Sequence, residues 1–193
     1  AASITPAEAL NGYISRITTL EAEFRQSVSS EDGTTVQEAK GKFQLSRPGK
    51  FRWDYYTPFE QQIVSDGDQL WLYDIELAQV TVKQLDETLA NSPALLLGGD
   101  VAIEENFDVT YEGETGGVAW FGLAPRVQDS DFIFVRIGFR DAKPDVMILQ
   151  DTLGQTTTIE FQEFTENPEL PDSLFQFNPP ENVDVIGLDV ETQ

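Results

Sequence analysis

The side chains that could carry out chemistry in this chain are few, and their types rule out most of it. There is no histidine and no cysteine, which removes Ser-His-Asp and Cys-His arrangements, disulfides, and imidazole or thiolate metal sites together. Carboxylates remain, as the pairs Asp66 with Asp68 and Glu104 with Glu105. A glycoside hydrolase needs two carboxyl groups facing each other across a cleft. Asp66 and Asp68 flank Gly67 in a turn, and adjacent residues such as Glu104 and Glu105 point to opposite faces of a strand, so neither pair is posed for that work. Asp66-Gly67-Asp68 also lacks the rest of the spacing of a calcium-binding loop, whereas Asp-Gly is a strong hairpin signal. The expectation is a chain without enzymatic activity, metal or cofactor.

One charge still needs an explanation. Phe43 and Leu45 alternate with Lys42, Gln44 and Ser46 as a half-buried strand does, and the next position on the apolar face is Arg47. A guanidinium keeps its proton, so Arg47 either snorkels to water along its methylene stem or is held by fixed acceptors. Pro48-Gly49 predicts a tight turn and hence a hairpin. A loop of Pro48 and Gly49 alone would set Arg47 opposite Lys50 and turn Phe51, Trp53 and Tyr55 away from Phe43 and Leu45. A loop that includes Lys50 pairs Arg47 with Phe51, Leu45 with Trp53 and Phe43 with Tyr55. That register is the expectation, because it makes one continuous apolar face and because the turn suited to Pro-Gly splays a two-residue hairpin. Arg47 and Phe51 then stand side by side at the rim of an aromatic-lined surface.

Positioning these residues requires a folded domain, and the composition supplies one. With 193 residues, 40% of them hydrophobic and 11% aromatic, and no linker or internal repeat, residues 1–193 read as a single domain. The chain begins at Ala1 with no basic and apolar leader, as expected of a mature product after signal cleavage that is not embedded in a membrane. Its 34 acidic against 12 basic residues give a net charge of −22, which argues against nucleic acid or an anionic membrane as direct partner. The acidity serves solubility or steering toward basic proteins.

Leu10, Tyr13, Ile14, Ile17, Leu20, Phe24 and Val28 recur at three- and four-residue spacing, predicting one long amphipathic helix from Pro6 to Val28. Thr5, Pro6 and Glu8 supply its capping box and first turn, and Glu31-Asp32-Gly33 ends it. Strands are expected at Gln61 to Ser65 and Gln69 to Tyr73, and β pattern continues at Val80 and Val82. Leu85 and Leu89, then Asn91 to Gly99 with Ser92, Pro93 and Gly98 as start and stop signals, predict two short helices. Leu95, Leu96 and Leu97 make the second apolar all round, so it is pressed between elements or lies over a greasy opening. Further strands are expected at Phe107 to Tyr111, Val118 to Leu123, Phe132 to Phe139, Asp145 to Leu149, Thr156 to Phe164 and Val183 to Ile186, with Gly113 to Gly117 as a hairpin loop. Ile133, Val135, Ile137 and Phe139 share the apolar face of their strand opposite Arg136. The fold class is α+β: a strongly curved, unclosed antiparallel β-barrel covered by a lid of one long and two short α-helices.

Four blocks carry a family resemblance: Arg47-Pro48-Gly49-Lys50-Phe51-Arg52-Trp53, Ile63 to Tyr73, Asn91-Ser92-Pro93-Ala94-Leu95-Leu96-Leu97, and Phe175-Gln176-Phe177-Asn178-Pro179-Pro180. In order and over nearly the whole chain, the sequence resembles the LolA family, periplasmic carriers of lipoproteins to the bacterial outer membrane. The resemblance implies an apolar cavity for the acyl chains of lipoprotein cargo, loading by the inner-membrane LolCDE transporter and delivery to the outer-membrane receptor LolB, with the carrier a monomer. The receptor is itself a lipoprotein, so the lack of cysteine favours the carrier. The resemblance further implies that Arg47 holds the lid closed through main-chain carbonyls, with Phe51 the matching aromatic at the rim. Phe43, Leu45, Trp53, Val135 and Ile137 either line the cavity or fill a core, and Leu89, Leu95 and Leu96 pack into the mouth when it is empty. The alternative is a sensor or scaffold domain of the same fold that binds lipid or protein without shuttling it.

Overall fold

In the computed structural model, residues 4–84, 97, 103–126, 130 and 132–187 are described. Among them twelve strands form one sheet. They are β1 (Thr19–Ser29), β2 (Thr35–Ser46), β3 (Lys50–Thr57), β4 (Gln61–Asp66), β5 (Gln69–Asp74), β6 (Gln79–Gln84), β7 (Phe107–Thr115), β8 (Val118–Pro125), β9 (Phe132–Arg140), β10 (Lys143–Asp151), β11 (Thr156–Glu166) and β12 (Asp184–Gly187). The spatial order is β12-β6-β5-β4-β3-β2-β1-β11-β10-β9-β8-β7. The end strands β12 and β7 are not joined, so the curved sheet stays unclosed. All neighbours are antiparallel except β12, which runs parallel to β6.

Helix α1 (Pro6–Ser15) has the expected start. The Thr5 hydroxyl accepts from the Glu8 N–H at 3.2 Å, and the Thr5 N–H donates to Glu8 Oε2 at 2.9 Å. The helix ends well short of Val28, however, and the predicted long helix is corrected: Thr19–Ser29 is strand β1. Leu20, Phe24 and Val28 are four residues apart, a spacing that satisfies a strand as well as a helix because four is a multiple of two. Leu20, Ala22 and Phe24 are buried while Glu23 and Arg25 are exposed, and the β-branched run Ile17-Thr18-Thr19 disfavours continuing the helix. The lid therefore has no long helix at its N-terminal end. The two short helices predicted between Leu85 and Gly99, with Leu89, Leu95 and Leu96, fall outside the described residues; Leu97 is helical and buried.

The Arg47 hairpin is the second correction. Ser46 pairs with Lys50, Leu45 with Phe51 and Phe43 with Trp53, two residues away from the expected register. The three-residue loop is Arg47-Pro48-Gly49, with Gly49 at φ +69° and a cis Arg47-Pro48 bond. Arg47 lies in the turn, and its N–H donates to the Thr18 carbonyl on the β1 side at 2.8 Å. A two-residue shift preserves which face each side chain takes, so the continuous apolar face is retained. Phe51 is fully buried, not at a rim.

One hydrophobic core runs along the inner face of the sheet, from Phe51 and Trp53 on β3 through Phe43 and Leu45, Phe24, Phe161 and Met147 to Val135, Ile137 and Phe121, with Leu10 and Ile14 of α1 and Leu97 packed on it. A bulge between Lys40 and Gly41 lets β3 come close. A Cβ at Gly41 would lie 1.9 Å from the Asp54 carbonyl oxygen and 2.8 Å from the Phe24 ring, so only glycine fits there. On the opposite face, the C-terminal segment straps β3 to β6. Phe175, in the 3₁₀ turn Asp172–Phe175, is buried. The Phe177 ring lies 5.9 Å from Trp71 and 5.7 Å from Tyr73, while Arg52, paired with Asp54 at 2.7 Å, donates to the Leu174 carbonyl. After β7 the glycine-rich stretch is tighter than expected. Gly116 and Gly117, both at positive φ, make a two-residue turn, and Gly113 sits in a bulge.

Candidate functional site

The inner face is a floor of hydrocarbon and aromatic rings. Alternation puts Phe43 and Leu45 of β2, Phe51 and Trp53 of β3 and Val135 and Ile137 of β9 on it, each at most 1% exposed. The rings interlock around Trp53, which stacks on Phe43 at 4.3 Å between centroids and meets Phe24 edge-to-face at 4.9 Å. On the far side Tyr13 of α1 stacks on Phe139 at 4.9 Å, close to Phe121. In this structure α1 and Leu97 pack onto that surface, which is hydrocarbon and aromatic ring apart from two polar groups.

Arg47 stands at the boundary of this floor, half-buried. Its Nε donates to the carbonyl oxygen of Ile17 at 2.7 Å, and its Nη2 donates to the carbonyl oxygen of Leu97. Carbonyls at the junction of α1 with β1 and on a helical residue fifty positions along the chain are thus gathered by one guanidinium. Main-chain carbonyls suit it because its fork of N–H donors can serve several acceptors without a counter-carboxylate.

Two polar groups lie within the rings. The Tyr55 hydroxyl donates to Gln26 Oε1 at 2.9 Å, and burial pushes its pKa up to about 12. The Trp53 indole Nε1 is buried without a hydrogen-bond partner, alone in this among the buried side-chain nitrogens and oxygens of the described residues.

The structure therefore brings Phe43, Leu45, Phe51, Trp53, Val135 and Ile137 onto one surface with Arg47 at its boundary, while Leu89, Leu95 and Leu96 lie outside the described residues. Sequence reasoning misses Phe24 as part of the floor because a helical period claims it first; read with a period of two, Leu20, Ala22 and Phe24 carry the signal. Leu97 reads as apolar but not as an acceptor for Arg47, since a carbonyl leaves no mark in side-chain type. Among the described residues, no group of three or more Asp or Glu could hold a metal ion, and no helix is long and apolar enough to cross a membrane.

Comparison with known proteins gives a consistent result. Residues 15–178 match the family described as outer membrane lipoprotein carrier protein LolA. A protein of Methylococcus capsulatus named outer-membrane lipoprotein carrier protein is 43% identical over 184 residues, covering 95% of this chain and 88% of that protein. Among solved structures, an uncharacterized conserved protein from Thermus thermophilus superposes with a TM-score of 0.61 at 14% identity, covering 95% of this chain and 100% of its own. A LolA superfamily protein from Nitrosomonas europaea gives 0.55 at 11% identity, covering 91% and 99%. At those identities the two structures speak to the fold alone.

Proposed function

The chain belongs to the LolA family of outer membrane lipoprotein carrier proteins, and from that premise we propose that residues 1–193 act as one periplasmic carrier domain. It would take acylated lipoproteins from the inner-membrane LolCDE transporter and pass them, as a monomer, to LolB at the outer membrane. The observation that carries this reading is the apolar inner floor bounded by an arginine that donates to the Ile17 and Leu97 carbonyls.

The energetics explain why a carrier needs such an arginine. Burial contributes about 0.8 kcal/mol per methylene, so a few long acyl chains would supply tens of kcal/mol, beyond the roughly 18–21 kcal/mol at which non-covalent affinity saturates. Cargo held that tightly would never leave. An empty state with interactions of its own offsets part of the gain. In it Arg47 is bonded to the Ile17 and Leu97 carbonyls, and Leu97 and α1 cover the floor. Cargo must break these contacts to enter and restores them on leaving, which brings binding into a reversible range.

Spheroplasts producing an outer-membrane lipoprotein provide the test. Added protein should release the lipoprotein into the soluble fraction as a complex, which then delivers it to liposomes bearing LolB. Lipoprotein that stays with the spheroplasts at saturating carrier would sink the proposal.

A further inference from the structure

Trp53 carries a feature that a purely hydrocarbon-binding floor does not need. Its indole N–H is buried and unpaired, although the residue is 1% exposed and surrounded by Phe24, Phe43 and Phe161. Phenylalanine would fill the same kind of place without leaving a donor unpaired in an apolar interior. Position adds a second constraint. Trp53 lies two residues along β3 from Phe51, about 7 Å deeper at the ordinary strand rise, and Phe51 pairs with Leu45 beside the Arg47 turn.

Building on the carrier reading, we infer that the Trp53 indole N–H is a specificity contact, donating a hydrogen bond to an ester carbonyl of the glyceryl-linked acyl chains of bound cargo. In a diacylglyceryl group the esters sit between the polar attachment and the hydrocarbon. With the attachment held near the Arg47 turn, a carbonyl comes to the depth of Trp53 and the tails run on along Phe43, Phe24 and Phe161. The contact answers a need on both sides. The donor is orphaned in the empty protein, and the ester oxygen, stripped of water, needs a donor. A ligand with the same chain length but no carbonyl would gain the apolar burial and leave the indole unpaired.

The test is a cycle of two proteins and two ligands. A synthetic dipalmitoyl-S-glyceryl-cysteinyl peptide and its dihexadecyl ether twin are titrated against the full chain and its Trp53→Phe variant. A neutral hydrogen bond in a buried site corresponds to about a five- to tenfold change in affinity. The ratio of ester to ether affinity should therefore fall about five- to tenfold in Trp53→Phe, the packing lost with the larger ring acting on both ligands alike and cancelling in the ratio. A second readout does not depend on the variant: the indole ¹⁵N–H resonance of Trp53 should move downfield with the ester and stay in place with the ether. An ester-to-ether ratio that the substitution leaves unchanged, or an indole resonance that responds alike to both ligands, overturns the contact while leaving the carrier reading intact. A protein that binds neither ligand overturns both.

Discussion

Replacing Arg47 with leucine removes the donor side of its hydrogen bonds to the carbonyls of Ile17 and Leu97 while keeping an apolar stem. The bond to Ile17 ends close to the β2–β3 turn, whose Arg47 N–H also reaches Thr18. The bond to Leu97 ties the hairpin to a residue fifty positions along the chain, and on the proposed mechanism it is the one that opening breaks. A hydrogen bond from a charged donor is worth about 1.5–3 kcal/mol, and each 1.4 kcal/mol is a factor of about ten. The bias toward the empty, covered state should therefore drop about 10- to 100-fold in Arg47→Leu, and apparent cargo affinity should rise by up to the same factor. Transfer to LolB liposomes should slow correspondingly, with binding intact. Arg47→Lys, a point charge that cannot reproduce the fork, should fall between the two. The assay is the half-time of transfer of a labelled lipoprotein, measured beside its dissociation constant for the same carrier. If Arg47→Leu delivers cargo at the wild-type rate, the latch reasoning is refuted.

Glycine supplies a paired test of the packing. Gly12 is exposed on α1, and a Cβ added there would meet nothing within 4 Å, so Gly12→Ala should stabilise the protein by about 0.8–1 kcal/mol in urea unfolding; Gly41→Ala, with a Cβ 1.9 Å from the Asp54 carbonyl oxygen, should destabilise it by about 3 kcal/mol or more. Tyr55 predicts an alkaline limb. Its pKa is raised from 10.0 to about 12 by burial. Above pH 10 the unfolded chain has therefore lost a proton that the native state still holds, and stability falls as pH rises from about 10 to 12, by about 2–3 kcal/mol in all. Tyr55→Phe should flatten that limb in urea unfolding across pH 9 to 12; an equally steep limb in the variant would show that Tyr55 is not its source.

Much of the sheet is legible in the sequence because alternation and turn chemistry are local. Asp66-Gly67-Asp68 forms its predicted hairpin, with Asp66 Oδ1 accepting from the N–H groups of Asp68 and Gln69; Val135, Ile137 and Phe139 take the buried face their alternation predicts, while Ile133, near the start of the strand, is exposed. The reading fails where two periods coincide or where a partner lies elsewhere in the chain. The four-residue spacing of Leu20, Phe24 and Val28 fits a helix and a strand equally, and only pairing with β2 and β11 decides between them. In the Arg47 hairpin, alternation fixes which face each side chain takes but not the register, since a two-residue shift leaves the faces unchanged. Arg47 itself stands out as a charge on an apolar face, yet residue types leave its acceptors open; family resemblance suggests carbonyls, and the geometry names Ile17 and Leu97. The unpaired Trp53 donor is invisible in the sequence, since a tryptophan on an apolar face reads as core whether or not its N–H is satisfied.

The most direct measurement is native mass spectrometry of the full chain purified after co-expression with an outer-membrane lipoprotein. A one-to-one complex carrying the acylated lipoprotein, lost when the lipoprotein's acylated cysteine is replaced by serine, is the predicted result. A chain that emerges empty, or bound only to free phospholipid, would contradict the assignment as a lipoprotein carrier.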